Sequence, residues 1–274
     1  MSVRAPAPLL AAYTLPGLGV FALFFLLPLG FVLAEAFSDG PSAFSRVFND
    51  PVFHAGLQGT ALLGIFTPLF SLAIGVPVAI ALSRMSPTMR SSLLVAISLP
   101  LTFSGLIVAY GFILLLGRAG FVTMLLADMG FDPASVGSFI FSPAGLGLAY
   151  SYYLVPRVVL IVLPSIRNFD STQLSAARSL GAGPLRTLFD VLIPQILPSM
   201  VAAFSLTSAV AVGAYGTALA LTGTQVNILP LLLYSKISET GTDMAAAAVL
   251  SIVLMAMCIF IIALGEVVAK RITR

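Results

Sequence analysis

Residues 170–198 read DSTQLSAARSLGAGPLRTLFDVLIPQILP, the longest polar stretch in a chain that is otherwise almost entirely apolar. The stretch carries two arginines, Arg178 and Arg186, and two aspartates, Asp170 and Asp190. Ionised side chains are costly to place in hydrocarbon, and irregular backbone is excluded from lipid. Because apolar sequence resumes on both sides, we predict a loop that faces water between two membrane-spanning segments.

The composition of the whole chain indicates a membrane location. Of its 274 residues, 59% are hydrophobic and only 8% are charged, and the mean hydropathy is +1.10. Soluble domains carry about 25% charged residues. A soluble fold would have to hide far more apolar surface than one core of this size can hold, so we predict an integral membrane protein with several spans.

Six apolar segments are long enough to cross a bilayer, which requires about 20 apolar residues for about 30 Å of hydrocarbon. They cover residues 15–36, 57–82, 93–116, 144–166, 196–221 and 245–268. A loop stretch at 121–129 has helical apolar spacing, and another at 228–237 is too short to span. The predicted fold is therefore an all-α integral membrane protein, with residues 1–274 forming a single transmembrane domain.

The lysines and arginines favour one orientation of these spans. With the N-terminus in the cytoplasm, the inner segments hold Arg4, Arg84, Arg90, Arg167, Arg178, Arg186, Lys270, Arg271 and Arg274. The outer loops then hold only Arg46, Arg118 and Lys236. Since cytoplasmic loops are enriched in Lys and Arg, we predict that both termini and the 170–198 stretch are cytoplasmic.

Few residues of the types that perform catalysis or bind metals are present. Cys258 is the single cysteine and His54 the single histidine, so neither a disulfide framework nor a histidine metal centre is expected. The sequence contains no G-x-x-x-x-G-K-[ST] phosphate loop, no G-x-S-x-G and no H-E-x-x-H. We therefore expect no enzymatic activity, cofactor, metal ion or nucleic acid for this chain.

A few residues within the spans are candidates for the wall of a solute path. Arg157 either extends toward the cytoplasmic interface, as long cationic side chains often do, or lines a path, where it would favour an anionic or polar group. The pair Gly213 and Gly216 either permits close helix packing or frees backbone groups to face a cavity. The candidates for the path are Tyr215, Gly213, Gly216, Arg157 and Tyr110.

The 170–198 stretch itself is predicted to form two short helices. Good helix formers fill 173–180, with Ser171 or Thr172 as the residue that caps this first helix. The Gly-Ala-Gly-Pro sequence at 181–184 ends the helix, and its proline suits the first turn of a second one. Such a pair of helices would form a rigid projection into the cytoplasm that can transmit force.

The spacing of residues in this stretch resembles the EAA loop in permease subunits of bacterial ABC importers. That loop reads E-A-A, three residues, G, nine residues and I-x-L-P. Here Ser175-Ala176-Ala177 is followed by Gly181 and then by Val191-Leu192-Ile193-Pro194. The alanines, the glycine and the proline match the family spacing, whereas Ser175 replaces the glutamate. The flanking residues resemble the spermidine and putrescine branch, whose relatives serve thiamine, ferric iron and phosphonates.

This resemblance implies the six-helix fold of a type I ABC importer permease, in which residues of about 167–195 couple to an ATPase. We name residues 167–195 the motif loop. Its coupling residues would be Ser175, Ala176, Ala177, Arg178, Gly181 and Pro194. The implied partners are two ATP-binding subunits that bind ATP and magnesium, a second permease subunit and a periplasmic solute-binding protein.

The resemblance further implies a location in the bacterial inner membrane, within lipid. There the chain would form half of the path for a small polar organic solute such as a polyamine. The alternative is a secondary transporter or channel that works without an ATPase. The near absence of Asp, Glu and His within the spans disfavours it, because ion-coupled transport uses such residues.

Overall fold

The computed structural model describes residues 7–222, 226–238 and 243–272, and these ranges contain helices and connecting turns but no β-strand. The α-helices in them are α1 (Ala7–Phe21), α2 (Leu27–Ala36), α3 (Pro41–Phe48), α4 (Pro51–Ser83), α5 (Pro87–Ser98), α6 (Gly105–Leu116), α7 (Phe121–Asp128), α8 (Pro133–Ser138), α9 (Pro143–Arg167), α10 (Ser171–Ser179), α11 (Pro184–Thr187), α12 (Ile193–Val212), α13 (Gly216–Thr222), α14 (Leu229–Ser238) and α15 (Met244–Ile272). Arg4 and Arg274, which the topology prediction includes, lie outside the described residues.

Six segments within the described ranges are long and apolar enough to cross a membrane. They are Thr14–Ala36, Pro51–Ser83, Gly105–Asp128, Pro143–Arg167, Pro184–Val212 and Met244–Ile272. Each overlaps one predicted span, so the prediction of an all-α membrane protein with six spans is confirmed. The loop stretch at 121–129 forms α7, and the short apolar stretch at 228–237 forms α14.

The third span is not one helix over 93–116, as predicted. A short 3-10 segment interrupts the helical path after α5 and before α6. Pro100 has no N–H for a helical hydrogen bond, and the Ser104 hydroxyl caps α6 by accepting a hydrogen bond from the backbone N–H of Ile107. The spanning segment therefore begins later than predicted, at Gly105.

The fifth span also differs from its predicted position at 196–221. One continuous helical segment, made of α11, a π-helical turn and α12, extends from Pro184 to Val212. The helix ends at Gly213, and α13 begins only after Tyr215. The sequence remains apolar across this break, so a prediction from the length of the apolar run missed it.

The described chain forms two compact units. The first comprises residues 7–53, 233–238 and 243–253, and the second comprises residues 54–222, 226–232 and 254–272. In the second unit, α9 buries apolar residues at helical intervals along most of its length. Its first half packs with α6, α12 and α13, and its second half packs with α4 and α12. These contacts fix the position of the site residues on α9.

The first unit is held together at one end by ion pairs. Arg46 on α3 contacts Asp39 at 2.8 Å and Asp243, the residue before α15, at 3.0 Å. Lys236 lies 3.8 Å from Asp50. The hydrogen bonds from Arg46 hold the pKa of Asp243 below its usual range, because they favour the charged carboxylate.

Two helix contacts in the second unit depend on glycine. A Cβ on Gly75 of α4 would lie 2.6 Å from the Val158 side chain on α9, which is too close for a real contact. A Cβ on Gly265 of α15 would overlap the Ser205 hydroxyl on α12. Small residues of this kind allow membrane helices to approach closely.

Candidate functional site

The motif loop begins with α10, and Asp170 caps this helix. Its carboxylate accepts a hydrogen bond from the backbone N–H of Thr172 at 2.9 Å. The predicted cap, Ser171 or Thr172, is therefore wrong, because Ser171 is already the first helical residue. The same bond holds the pKa of Asp170 below its usual range, since it stabilises the charged carboxylate.

Gly181 ends α10 in a conformation that favours glycine, with φ at +83°. Its N–H donates to the carbonyl oxygen of Arg178 at 2.9 Å, and the N–H of Ala182 donates to that of Ala177 at 3.0 Å. These two bonds form a Schellman motif, which satisfies carbonyl groups at the end of the helix. The glycine of the sequence pattern therefore turns the chain from α10 toward α11.

The side of α10 that faces the protein is anchored to the following helix. Leu174 and Phe169 pack against the core cluster formed by α4, α9 and α12. The amide of Gln195 on α12 donates a hydrogen bond to Gln173 on α10 at 2.6 Å. These contacts pack α10 against the helices of the second unit.

Most of the predicted coupling residues lie on the outer surface of the motif loop. Ser175, Ala176, Arg178, Gly181 and Pro194 are exposed, and Ala177 is half-buried. Arg178 forms no ion pair within the part of the chain that the structure describes. The exposed residues are thus accessible to a partner, although their role in coupling stays a prediction.

Three large apolar side chains that were not among the predicted coupling residues are also exposed on the motif loop. Leu180 is 89% exposed, Leu185 70% and Phe189 62%. Leu185 and Phe189 lie in the candidate span Pro184–Val212, whereas Leu180 lies before it in the loop. The signal was present in the sequence, because all three lie among charged and small polar residues between Asp170 and Asp190.

The motif loop is joined rigidly to the fifth span. α11 continues through the π-helical turn at Leu188–Leu192 into α12, where the N–H of Ile193 bonds to the carbonyl of Leu188. This wider turn directly precedes Pro194, whose ring and missing N–H disturb regular helical bonding. The second half of the motif loop therefore continues into the fifth span as one helical segment, from Pro184 to Val212.

A second candidate site is a cavity of about 260 Å³ in the second unit. We name it the Arg157 cavity. Its lining residues come from α9, from the 3-10 segment before α6 and from the break between α12 and α13, and they include Arg157, Tyr153, Gly213, Tyr215 and Gly216. Four of the five predicted path residues are thus brought together. The fifth, Tyr110, lies on α6 outside the wall formed by the described residues, and 55% of its surface is exposed.

Hydrogen bonds from buried side chains support the break beside the cavity. The Tyr150 hydroxyl donates to the carbonyl oxygen of Ala214 at 2.7 Å. The Thr217 hydroxyl donates to the carbonyl oxygen of Gly105 at 3.0 Å. The Ala214 carbonyl in the break therefore has a protein partner, which matters because the membrane interior offers no water to take that role.

The Arg157 side chain is directed back along α9. Its Nη1 donates to the carbonyl oxygen of Tyr153, one turn earlier, at 3.0 Å, and its guanidinium lies 5.6 Å from the centre of the Tyr153 ring. The nearer end of the helix is Arg167, in the opposite direction. The side chain thus does not extend toward that end, contrary to one of the two interpretations of the sequence.

Comparison with known proteins identifies a family and relatives that match most of the chain. Residues 9–274 match the family described as the binding-protein-dependent transport system inner membrane component. A sulfate transport system permease protein, CysW of Synechococcus elongatus, is 28% identical over 83% of this chain and 79% of its own length. The spermidine/putrescine permease protein PotB of Haemophilus influenzae is 29% identical over 87% of each chain. A putative 2-aminoethylphosphonate permease protein, PhnU of Salmonella typhi, is 28% identical over 94% and 90%.

Solved structures share the fold. A chain of a bacterial alginate ABC transporter, in complex with an alginate-bound periplasmic protein, superposes with a TM-score of 0.81. It is 19% identical, and the match covers 97% of this chain and 95% of that one. A chain of the MetNI methionine ABC transporter gives a TM-score of 0.60 over 80% of this chain and 95% of its own, at 17% identity.

The six spans, together with the match to a transport family over residues 9–274, define a membrane-embedded transport permease. The chain belongs to the family of binding-protein-dependent transport system inner membrane components, and it is a permease of the type I ABC importer class.

Proposed function

We propose that the chain couples solute import to a separate ATPase through the motif loop. The observation that carries this proposal is Leu180, which is 89% exposed next to Gly181 at the fixed end of α10. An apolar residue held on a rigid helix can dock in a groove of a partner. The helix continuing from Pro184 to Val212 then links this docking point to the membrane.

The proposed assembly contains two ATPase subunits that bind ATP and magnesium, a second permease subunit and a periplasmic binding protein. Support comes from the alginate transporter, whose solved complex includes a periplasmic protein. A six-span chain encloses only part of a path, so a second permease, identical or related, would complete it. The Arg157 cavity would be this chain's contribution to the path, with Gly213, Tyr215 and Gly216 in its wall.

We also propose a bacterial inner-membrane location with both termini and the motif loop in the cytoplasm. The count of basic residues supports it, because Lys and Arg are enriched in cytoplasmic loops. The described inner segments hold Arg84, Arg90, Arg167, Arg178, Arg186, Lys270 and Arg271, whereas the described outer loops hold Arg46, Arg118 and Lys236.

The names of the relatives include three different solute classes. These are sulfate, the polyamines spermidine and putrescine, and 2-aminoethylphosphonate. The polyamine in the sequence-based prediction is one of these and stays a prediction.

The docking surface can be tested by gentle extraction of the tagged chain from its native membrane. We expect an ATPase to co-purify with the wild-type chain and to be lost with Leu180→Asp, which places a charge at the docking point without disturbing a buried contact. The matched control is Ser91→Asp, an equally charged change at an exposed position of α5. Unchanged recovery of the ATPase with Leu180→Asp would contradict this surface. A wild-type chain that came out alone would instead favour a transporter or channel that needs no ATPase.

A further inference from the structure

Arg157 lies deep within its span. It is in α9, ten residues before the last helical residue, Arg167, so it lies about 15 Å from that end at about 1.5 Å per residue. This distance is about half of the hydrocarbon thickness. Because the side chain is directed away from the nearer end, the positive charge stays within the membrane part of the protein.

The charge of Arg157 has little compensation from the protein. Its Nη1 donates to the carbonyl oxygen of Tyr153, and the Tyr153 ring faces the guanidinium. Within the described residues, no carboxylate forms an ion pair with it. A guanidinium has five N–H donors, so most of its hydrogen-bonding capacity is left for other groups. Charged residues in membrane spans are usually paired or face a polar cavity.

The surroundings of Arg157 form a small cavity with positive charge. The described residues of its wall include no Asp or Glu and no second cation. Its volume is about 260 Å³ and it is not closed off from its surroundings, so the charge of its wall, and not its size, decides which ligand it suits. A ligand with negative charge fits this wall, whereas a polyamine cation would meet repulsion from Arg157 and no carboxylate.

We propose that Arg157 determines the specificity of the permease by binding a sulfate- or phosphonate-type oxyanion during its passage. This inference rests on the proposed function of the chain as an import permease. The planar guanidinium can offer two parallel N–H donors to such an anion, a geometry that a lysine ammonium lacks. Tyr153 holds the guanidinium in place through its carbonyl and its ring.

The test uses the whole complex, purified with its ATPase and binding protein and placed in proteoliposomes. Uptake of labelled sulfate, 2-aminoethylphosphonate and spermidine is measured with and without ATP. We expect ATP-dependent uptake of sulfate or 2-aminoethylphosphonate and none of spermidine. Arg157→Gln should lower the anion uptake about 10- to 100-fold, as the loss of a hydrogen bond to a charged group would. Arg157→Lys should give an intermediate rate, and Arg118→Gln, a change of a cation elsewhere, should leave uptake unchanged.

Several outcomes would overturn the inference. ATP-dependent uptake of spermidine, or uptake of neither anion, would exclude the oxyanion class. A wild-type rate of anion uptake by Arg157→Gln would exclude the role of this residue. Size-exclusion chromatography of each variant complex separates a loss of assembly from a loss of uptake. If the Arg157→Gln complex does not assemble, the Arg157→Lys complex, which keeps the positive charge, tests the role of the guanidinium. Absence of an ATPase from the purified complex would contradict the proposed function instead.

Discussion

The hydroxyl of Tyr150 on α9 donates a hydrogen bond to the carbonyl oxygen of Ala214, at 2.7 Å, across 64 residues of sequence. Ala214 lies in the break between α12 and α13, where carbonyl groups lose their helical partners. Tyr150 itself is completely buried. The break beside the Arg157 cavity thus depends on a side chain from another helix.

Replacement of Tyr150 by phenylalanine should therefore destabilise the permease. The change keeps the ring and removes the hydroxyl, so the Ala214 carbonyl loses its partner in an apolar setting, at a cost of about 1–3 kcal/mol. We expect a lower melting temperature of the detergent-solubilised protein. The control is Tyr152→Phe, because Tyr152 is 42% exposed and its ring packs edge-on against Phe112. Equal melting temperatures for Tyr150→Phe and the wild type would contradict a stabilising role of this bond.

The six spans and the motif loop could be predicted because each depends on local sequence. Hydropathy requires no knowledge of packing, and Gly181 has its role through the backbone conformation of its own turn. The break after Gly213 could not be placed in this way, since its support comes from Tyr150 and Thr217 through contacts distant in sequence. The direction of the Arg157 side chain was likewise undecided in the sequence, because both interpretations are compatible with the same helix.

The turn between α10 and α11 should be sensitive to Gly181→Ala. The φ of +83° is costly for a residue with a Cβ, by about 1–2 kcal/mol, although no atom lies within 4 Å of the position that the Cβ would take. We expect easier protease cleavage in the motif loop and weaker recovery of the partner ATPase. The matched control is Gly183→Ala, where φ is −67° and space is also open. If both variants behaved like the wild type, the conformation of Gly181 would have no part in docking.

The ion pair of Arg46 and Asp243 should make stability depend on pH in acid. The pKa of Asp243 in the folded protein is lowered by hydrogen bonds from Arg46, from an ordinary value of about 3.9. Its contribution is thus fully present above about pH 4 and is lost as the pH falls through the folded pKa. We expect Asp243→Asn to melt at a lower temperature than the wild type at pH 7, with a difference that shrinks below about pH 4.

The same substitution made in an Arg46→Leu variant shows whether the ion pair causes this difference in melting temperature. In Arg46→Leu protein, Asp243→Asn should change the melting temperature much less at pH 7, because the main partner of the carboxylate is gone. The asparagine can still accept the hydrogen bond that Asp243 receives from the backbone N–H of Ala246, so the start of α15 is preserved. A difference of the same size at pH 7 and at pH 3 would contradict the role of the ion pair.

The contact between α12 and α15 should tolerate no side chain at Gly265 unless its neighbour becomes smaller. A Cβ there would overlap the Ser205 hydroxyl and lie 2.6 Å from the Ser205 Cβ. Overpacking of this kind costs about 1–3 kcal/mol, so Gly265→Ala should lower the melting temperature. The double variant Gly265→Ala with Ser205→Gly moves the small residue to the opposite helix and should recover part of the loss. The control is Gly111→Ala, at a position with open space on α6, which should leave the melting temperature unchanged. If the double variant melted no higher than Gly265→Ala alone, the clash with Ser205 would not be the cause of the destabilisation.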